Sequence, residues 1–517
     1  MGDATATMTM PSGVASTPTV RVPRALSSPV RGGRAAARAV RSTAMRCSVS
    51  RVECANGCGA RGARGGRDHE EALRRLGHAN ASLSLGASVR RDRATIARVR
   101  VRSNATHVAA SSAKASKPRL PALDSIRFFL IAYIGVGHFI ACATKNALTL
   151  ASFSQVNVVV GAFFVLSGYV AAYTTTELGE YEAQTSRLSP SPKYVVSRVM
   201  GFYPLYFVVN VLFAPMFFYA DSFYNGPVLA AVHGLMTFTL TQAWFPMHAE
   251  LWNAPTWFLS AFAFALTAMP FALPPIAKFK RKDLRNAFGI LVAISLVAKL
   301  AYSYDVAAWG FMEGIMSPKT HPNWLYFNSV RFSPLNALID VLMGAVAARS
   351  VMIDSASGES VPKTNKLLAC SATPLVSMIA FLAARALGVV AINDALSRTV
   401  FTILFSMFAV NIHRETVSSE QSIVSKILSW KPLVYLGTIS FPIYILHGPI
   451  GQVFYKRVVA NKLFGKVFTQ HPEFFPVYCL ITLVAAAITH EVFIKNKKVQ
   501  EISNAVSAKL ADALTNN

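Results

Sequence analysis

Apolar segments of about 20 residues recur along the chain from residue 126 to residue 494, and short polar loops separate them. At about 1.5 Å of rise per residue, a helix of this length crosses the hydrocarbon core of a bilayer, which is about 30 Å thick. The pattern therefore predicts an all-α protein, a polytopic transmembrane helix bundle. Eleven segments are candidates: 126–143, 156–175, 203–220, 228–246, 255–275, 286–304, 334–352, 370–391, 396–413, 435–456 and 474–494.

The distribution of Lys and Arg among the loops indicates which segments cross. Short loops rich in Lys and Arg stay on the side from which the chain is inserted. If segment 228–246, which His233 and Gly234 interrupt, is re-entrant or peripheral, one side collects 18 Lys and Arg and the other keeps 8. If all eleven cross, the most basic loop, residues 278–285, falls opposite the basic loop at 187–198. We therefore predict about ten spans, with both termini on the positive side.

Composition supports a membrane protein and argues against a nucleic-acid-binding protein. Hydrophobic residues make up 53% of the chain and charged residues 15%, which is typical of polytopic membrane proteins. The net charge is +26, but residues 1–117 alone hold 21 Lys and Arg against 6 Asp and Glu. Most of the excess charge lies there, and the remaining cations cluster in short loops between apolar runs, which is the positive-inside pattern. We therefore expect no nucleic-acid partner. The six cysteines show no paired CxxC spacing, so the sequence predicts neither a disulfide framework nor a metal site.

Three regions follow from this division: a leader (1–117), a transmembrane domain (118–495) and a short polar tail (496–517). The leader is too poor in large apolar residues to bury a core, so we predict a disordered basic segment. Its first fifty residues are rich in Arg and Ser and poor in acids, which is typical of an organelle transit peptide. We expect a chloroplast membrane, with a mitochondrial membrane as the alternative. If the leader is only a disordered tail, the endomembrane system or plasma membrane remains. The tail has apolar residues at four-residue spacing and predicts an amphipathic surface helix.

The first apolar segment carries two ionisable side chains, Arg127 and His138. Eleven residues at about 100° each come to roughly 20° past three full turns, so both side chains share one helix face, about 16 Å apart along the axis. Ionisable residues inside a span are functional candidates, because burying them in lipid is costly. The alternative is that both residues are structural: Arg127 extends its side chain to the membrane interface, and His138 is a core residue that hydrogen-bonds a neighbouring carbonyl.

Five sequence blocks occur in a fixed order. They are Leu123-Asp124-Ser125-Ile126-Arg127-Phe128 with His138 ten intervening residues after the Arg; Gly161-Ala162-Phe163-Phe164-Val165-Leu166-Ser167-Gly168-Tyr169; Arg198 followed by Tyr203-Pro204-Leu205-Tyr206; Pro255-Thr256-Trp257-Phe258-Leu259-Ser260; and Ile439-Ser440-Phe441-Pro442-Ile443-Tyr444-Ile445-Leu446-His447. With these blocks the chain resembles the acyltransferase-3 family of integral membrane acyltransferases over roughly residues 118–495. One departure stands out: many members have Trp-Ser-Leu-Ser-Val-Glu where this chain has Trp257 to Phe262, so no acidic role carries over and the chain's activity stays open.

The resemblance implies an O-acyltransferase that moves an acyl group, in the first instance acetyl, from acyl-coenzyme A (acetyl-CoA) to a hydroxyl of a carbohydrate or lipid acceptor. It implies His138 as the base or transient acyl carrier, and Arg127 and Arg198 as donor contacts. Arg suits the phosphates of the donor, because its planar guanidinium binds them bidentately. No metal is implied. The remaining motif positions are Asp124, Ser167, Gly168, Trp257, Ser260, Tyr444 and His447, of which Ser167, Gly168 and Ser260 are expected to permit close helix packing.

For the other polar residues at membrane depth, we consider a structural role before a functional one. His447 either lines the same cavity as His138 or is a satisfied core residue. Asp340 is expected to form a buried structural pair with Lys299 or Arg385. Two alternatives to an enzyme remain: a transporter of a small anion or sugar, and a non-catalytic membrane scaffold. The sequence shows no matched broken helices in two halves, the pattern often seen in such transporters.

Overall fold

The computed structural model describes residues 117, 119–176, 188–306, 324–356, 366–418 and 421–515. Every regular element in this part of the chain is helical, as the apolar pattern predicts. The predictions of disorder and import for the leader lie outside the described residues. The α-helices are α1 (Pro121–Ala143), α2 (Ala147–Phe153), α3 (Val156–Thr175), α4 (Ser191–Met200), α5 (Tyr203–Asn225), α6 (Pro227–Phe238), α7 (Trp257–Lys278), α8 (Arg281–Val306), α9 (Trp324–Phe332), α10 (Pro334–Ala356), α11 (Lys366–Ala369), α12 (Ala372–Ala386), α13 (Asp394–Val417), α14 (Ile423–Leu428), α15 (Lys431–Thr438), α16 (Ser440–Tyr455), α17 (Arg457–Phe464), α18 (Val467–Gln470), α19 (Phe475–Thr489) and α20 (Lys497–Thr515).

Eight helical segments of the described chain are long and apolar enough to cross a membrane. The consecutive helices α15 and α16, bent by 54° at their junction, form a ninth span if they are counted together. The eight are Pro121–Ala143, Ala147–Thr175, Tyr203–Asn225, Ala254–Lys278, Arg281–Tyr304, Leu325–Asp354, Asp394–Val417 and Pro472–Ile494. These nine coincide with nine of the ten predicted spans.

The tenth predicted span, residues 370–391, is a 15-residue helix, α12, which is shorter than a full crossing. Its contacts nevertheless extend along the whole length of α13. At one end, Ser371 donates a hydrogen bond of 2.9 Å to Glu415, and at the other, Arg385 donates one of 2.8 Å to Asp394. Because Glu415 and Asp394 lie at opposite ends of α13, α12 runs antiparallel beside it. The chain therefore passes through the bundle here as well, with non-helical residues completing the path.

The segment predicted to be re-entrant or peripheral, 228–246, contains only a 12-residue apolar helix, α6. The chain then continues without long helices to Thr256. Hydroxyl groups of the neighbouring helices donate to backbone carbonyls here: Tyr206 donates to the carbonyl of Thr237 at 2.5 Å, and Ser260 donates to the carbonyl of Leu240 at 2.6 Å. Irregular backbone at membrane depth is stable only when it is buried in protein and paired in this way. We call residues 239–256 the irregular segment.

Helices α3 and α10 pack backbone to backbone. A Cβ atom added at Gly168 would lie 1.7 Å from the carbonyl oxygen of Val341, and one at Gly344 would lie 1.8 Å from that of Val165. The packing role expected of Gly168 is therefore confirmed: small residues allow transmembrane helices to approach closely.

Buried ion pairs tie the bundle together, but with partners other than those expected. Asp340 accepts hydrogen bonds from Arg398, at 2.6 and 2.9 Å, rather than from Lys299 or Arg385. Arg385 pairs with Asp394 instead. The Nζ of Lys299 donates to the hydroxyls of Ser295 and Thr399, at 2.7 and 2.6 Å. The expectation of a structural pair at Asp340 was right in kind and wrong in partner.

The polar tail forms helix α20, which packs on α4. The hydroxyl of Ser503 donates to the carbonyl of Met200 at 3.3 Å. The predicted apolar row is exposed, so it is available to the membrane surface beside the bundle. The exposed residues of this row are Ile502, Val506, Leu510 and Leu514.

Candidate active site

A cavity of about 460 Å³ opens into the bundle between α1, α3, α4, α7, α9 and the bent pair α15 and α16. Its walls are mostly apolar, and a few charged and polar side chains project from them. Arg127, His138 and Arg198, the three residues predicted to bind donor or catalyse, all line it. The structure therefore brings together residues that are up to 71 positions apart in the sequence.

At one end of the cavity, the first turn of α1 positions Arg127. Pro121 begins this helix, where its fixed φ and missing N–H are tolerated, and Asp124 follows in the first turn, where the helix dipole favours a carboxylate. Asp124 accepts a hydrogen bond of 2.9 Å from Arg127 and one of 3.0 Å from Arg119. The motif residue Asp124 thus fixes the guanidinium of Arg127, whose side chain keeps 32% of its surface exposed.

Helix α4 contributes Arg198 and Tyr194 to the same end. The guanidinium of Arg198 lies over the Tyr194 ring, 5.5 Å from its centroid, and its Nη2 lies 3.5 Å from the hydroxyl of Thr174. Burial raises the pKa of the Tyr194 hydroxyl, and Arg198 acts in the opposite direction. Tyr194 therefore stays protonated at neutral pH and remains a hydrogen-bond donor. With Arg127, these groups make a cationic, donor-rich end that suits phosphate oxygens.

The other end of the cavity contains His138, about three turns further along α1. Its Nδ1 lies 3.0 Å from Nε2 of His447 on α16. The two ring planes are within 5° of each other and their centroids are 5.3 Å apart, which is the arrangement of rings joined edge to edge by an in-plane hydrogen bond. His447 is fully buried behind His138 and does not line this cavity, so of the two interpretations the structure supports the satisfied core residue.

The partners of His447 define the tautomers of both rings. Its Nδ1 lies 2.8 Å from the carbonyl oxygen of Tyr444 and 3.2 Å from that of Ile443. Carbonyl oxygens only accept, so Nδ1 of His447 carries a proton, and its Nε2 is the acceptor in the neutral ring. Nδ1 of His138 must then donate. This leaves Nε2 of His138 as an unprotonated nitrogen on a side chain that lines the cavity.

Proline and the irregular segment hold His447 in place. Pro449 has no N–H, so the carbonyl of Ile445 four residues earlier loses its helical partner. The amide of Asn253 in the irregular segment donates to that carbonyl at 3.2 Å. Two residues on, the carbonyl of Pro255 accepts from the hydroxyl of Tyr444 at 2.8 Å. Two motif blocks distant in sequence, around Pro255 and around Tyr444, therefore lock together beside the histidine pair.

Arg331, at the end of α9, is a cavity residue that the sequence did not identify. It forms an ion pair with Glu250 of the irregular segment and lines the same cavity as His138. Its Nε is buried and has no hydrogen-bond partner within the described residues. The only sequence feature that could have identified Arg331 is its position just before a span, on the side of the membrane with few cations. It resembled an ordinary interfacial Arg.

The remaining motif positions mostly support the walls. Ser167 lines the cavity and donates to the carbonyl of Phe163 at 2.7 Å. Trp257 is buried against the ring of Phe332, 4.9 Å away between centroids. Ser260, expected only to allow close packing, also accepts a hydrogen bond of 3.1 Å from the backbone N–H of Ala243. Among the described residues, no group of three or more His, Cys, Asp or Glu side chains is placed to hold a metal ion.

The helix bundle, with an internal cavity that has mostly apolar walls and a few charged side chains, defines an integral membrane protein with an internal binding site. Residues 120–490 match the acyltransferase domain of the acyltransferase-3 family (Acyl_transf_3). The chain belongs to this family of membrane acyltransferases, as its sequence blocks indicate. No curated protein and no solved structure matches the chain.

Proposed function

We propose that this protein is a membrane-embedded O-acyltransferase that moves an acyl group, in the first instance acetyl, from acyl-coenzyme A to a hydroxyl of a carbohydrate or lipid acceptor. One observation carries the proposal: His138, whose Nδ1 is hydrogen-bonded to His447, lines the same cavity as Arg127 and Arg198. Along the axis of α1, His138 lies about 16 Å from Arg127. That separation suits a donor with phosphates at one end and a thioester at the other.

The donor enters at the end formed by Arg127, Arg198 and Tyr194, which lies on the positive side of the predicted topology. The guanidinium groups bind the phosphates, and the mostly apolar cavity holds the extended arm that leads to the thioester. The acyl group then lies beside His138 and Arg331. The acceptor reaches His138 from the membrane or from the opposite side, so that donor and acceptor need not share one opening.

Transfer follows from the protonation states of the histidine pair. Nε2 of His138 takes the proton of the acceptor hydroxyl while the hydroxyl oxygen attacks the thioester carbonyl carbon. The carbonyl oxygen becomes an oxyanion beside the guanidinium of Arg331. The carbon–sulfur bond then breaks and the carbonyl re-forms. The thiolate takes the proton from His138, which leaves the new ester, free coenzyme A and a neutral imidazole.

His138 can also act as a transient acyl carrier, since the same lone pair is a nucleophile. In that course Nε2 attacks the thioester carbonyl carbon and the carbon–sulfur bond breaks, so coenzyme A leaves as the thiolate and takes a proton from water. The acceptor hydroxyl then attacks the acyl-imidazole, loses its proton to water and displaces Nε2, which leaves the new ester and a neutral imidazole. Double-reciprocal plots distinguish the two courses: parallel lines indicate the carrier, and intersecting lines indicate direct transfer. Arg331 and His447 have the same roles in both.

The absence of an acidic residue two positions after Ser260 removes none of the groups used in this mechanism. The position that is acidic in many members is Phe262 here, and it lines the cavity as an apolar residue. The carboxylate that the fold does bring to this region is Glu250, which pairs with Arg331. In this proposal Glu250 orients a cation and takes no proton.

The test is transfer by the purified full-length protein in lipid nanodiscs with radiolabelled acetyl-CoA. Acceptors come from the lipids and glycans of cells lacking the protein, chosen by mass spectrometry for a lost acetyl increment. Wild-type protein should label an acceptor, and His138→Ala should reduce labelling by about a hundredfold or more while coenzyme A still binds. Wild-type turnover in His138→Ala would refute the proposal and favour a transporter or scaffold.

A further inference from the structure

A second cavity, of about 410 Å³, lies between α4, α5 and the C-terminal helix α20. It shares Gly201 and Phe441 with the first cavity, so the two adjoin at the cationic end of the candidate active site. The last turns of α4 form the boundary. Arg198 lines the first cavity and its neighbour Ser197 lines the second, so one helix presents a guanidinium to one cavity and a hydroxyl to the other.

The second cavity has a lining of uncharged hydrogen-bonding groups. Four of them project from one face of α20 and the fifth from α4; they are Gln500, Ser503, Asn504, Ser507 and Ser197. The apolar row of α20 is exposed and lies on an adjoining face of the helix. The hydroxyl and amide groups of this lining suit a polar occupant.

Three of these side chains are free to bind a ligand. Ser197, Asn504 and Ser507 make no side-chain hydrogen bond within the part of the chain that the structure describes. The aromatic rings of Phe441 and Phe493 line the same space. A flat heterocyclic base needs apolar surface against its faces and donors and acceptors at its edge, and this cavity offers both.

Cations surround the cavity but do not line it. Lys193 is exposed one turn before Ser197 on α4, and Lys497 and Lys498 are exposed at the beginning of α20, just before Val499 and Gln500. Phosphate groups therefore have partners at the rim and at Arg198, while the interior suits an uncharged group. A lipid headgroup would place its charge at the same rim, but its acyl chains would find a polar wall.

We infer that the second cavity binds the nucleoside end of the acyl-coenzyme A donor, with the base against α20 and the phosphates between the cavities at Arg198. This inference rests on the proposed function, because it assumes that the first cavity holds the pantetheine arm and thioester. It assigns to α20 a role in donor selection: the helix distinguishes a nucleotide-bearing thioester from a shorter one.

Four proteins test the inference: wild type, Ser507→Phe, Asn504→Leu and Val506→Phe. Ser507→Phe fills the cavity, and Asn504→Leu removes polar groups at similar volume. Val506→Phe is the matched control, since Val506 is one residue away on the exposed face of the same helix. Each full-length protein, in nanodiscs, is titrated calorimetrically with coenzyme A and with pantetheine, which lacks the nucleotide. Ser507→Phe should weaken coenzyme A binding about tenfold, and Asn504→Leu should weaken it several-fold, with pantetheine binding unchanged. Val506→Phe should bind both as wild type does.

Other results have separate meanings. Unchanged coenzyme A binding in both cavity variants overturns the inference and leaves the proposed function intact. Equal weakening of coenzyme A and pantetheine also overturns it, since α20 would then shape the first cavity. Wild-type protein that binds no coenzyme A removes the donor assignment itself. The Michaelis constants for acetyl-CoA and S-acetylpantetheine should follow the binding constants.

Discussion

His138 and His447, 309 residues apart in the chain, are joined by a hydrogen bond of 3.0 Å between Nδ1 of the first and Nε2 of the second. The carbonyl of Tyr444 fixes the proton of His447 on the far side of its ring. The backbone carbonyl therefore determines the tautomer of His447, and His447 in turn determines the tautomer of His138. In this arrangement Nε2 of His138, in the cavity, carries no proton. A base oriented by a second group is a recurrent arrangement in acyl-transfer sites, and in the proposed mechanism the orienting group is a second histidine.

His447 should act as a positioning residue. His447→Ala leaves Nδ1 of His138 without its acceptor, so the ring is free to rotate or change tautomer, and kcat should fall about 10- to 100-fold. The Michaelis constant for the donor should stay as in wild type. His447→Gln presents a side-chain oxygen near the place of Nε2 and should recover part of the loss. A uniform loss in both variants, with normal folding yield, would show that His447 does not act by orientation.

Arg331 should stabilise the transition state rather than bind the donor. Arg331→Met removes the cation beside the developing oxyanion, and kcat should fall by about 10² to 10³ with little change in coenzyme A affinity. Glu250→Gln keeps a hydrogen-bonding partner for Arg331 and should cost much less. Single-turnover rates with bound donor make the comparison. A variant that loses donor affinity and keeps its single-turnover rate would place Arg331 in binding instead.

Arg127→Lys should raise the Michaelis constant for acetyl-CoA about tenfold with kcat nearly unchanged. Lys keeps the charge but loses the planar fork that binds phosphate bidentately. Arg119→Lys is the matched control, because Arg119 also bonds Asp124 but is 70% exposed and does not line the cavity. If both variants behave alike, Arg127 serves only the local ion pair.

Arg385→Met should destabilise the bundle without changing turnover per folded molecule. It removes the cation paired with Asp394, whose side chain is only 2% exposed, and losing one partner of a buried ion pair costs about 3–5 kcal/mol. Lys299→Met should be milder, since Lys299 is bonded to hydroxyls and its removal leaves no carboxylate without its cation. Thermal unfolding in detergent measures both. Equal loss of stability in the two variants would contradict this account.

The topology predicts the side of each loop. Reporter fusions after Lys282 and after Lys366 should give the same signal as a C-terminal fusion, because the chain passes through the bundle an even number of times between these points. A fusion after Gly388, between α12 and α13, should report the opposite side. A Gly388 fusion that gives the same signal as the C-terminal fusion would show that α12 does not cross the membrane. Opposite signals from the Lys282 and Lys366 fusions would contradict the predicted topology as a whole.

The sequence predicted features that depend on a single segment. A run of about 20 apolar residues is long enough to span lipid wherever it occurs, so nine of the ten spans were readable directly. Helical periodicity alone placed Arg127 and His138 on one face. The interruption of 228–246 by His233 and Gly234 identified the segment that does not form a full span. Charge bias in the loops depends only on composition and predicts the orientation, which the reporter fusions above test.

Only the tertiary structure decided which segments meet. Asp340 lies among several buried cations along the chain, and helix packing alone selects Arg398 over Lys299 and Arg385. His447 lies behind His138 instead of in the cavity because α16 packs against α1 at that depth. Arg331 joins the site because the irregular segment brings Glu250 to it. The spacing rules of a helix fix neighbours three or four residues apart, whereas contacts between residues hundreds of positions apart depend on the packing of whole helices.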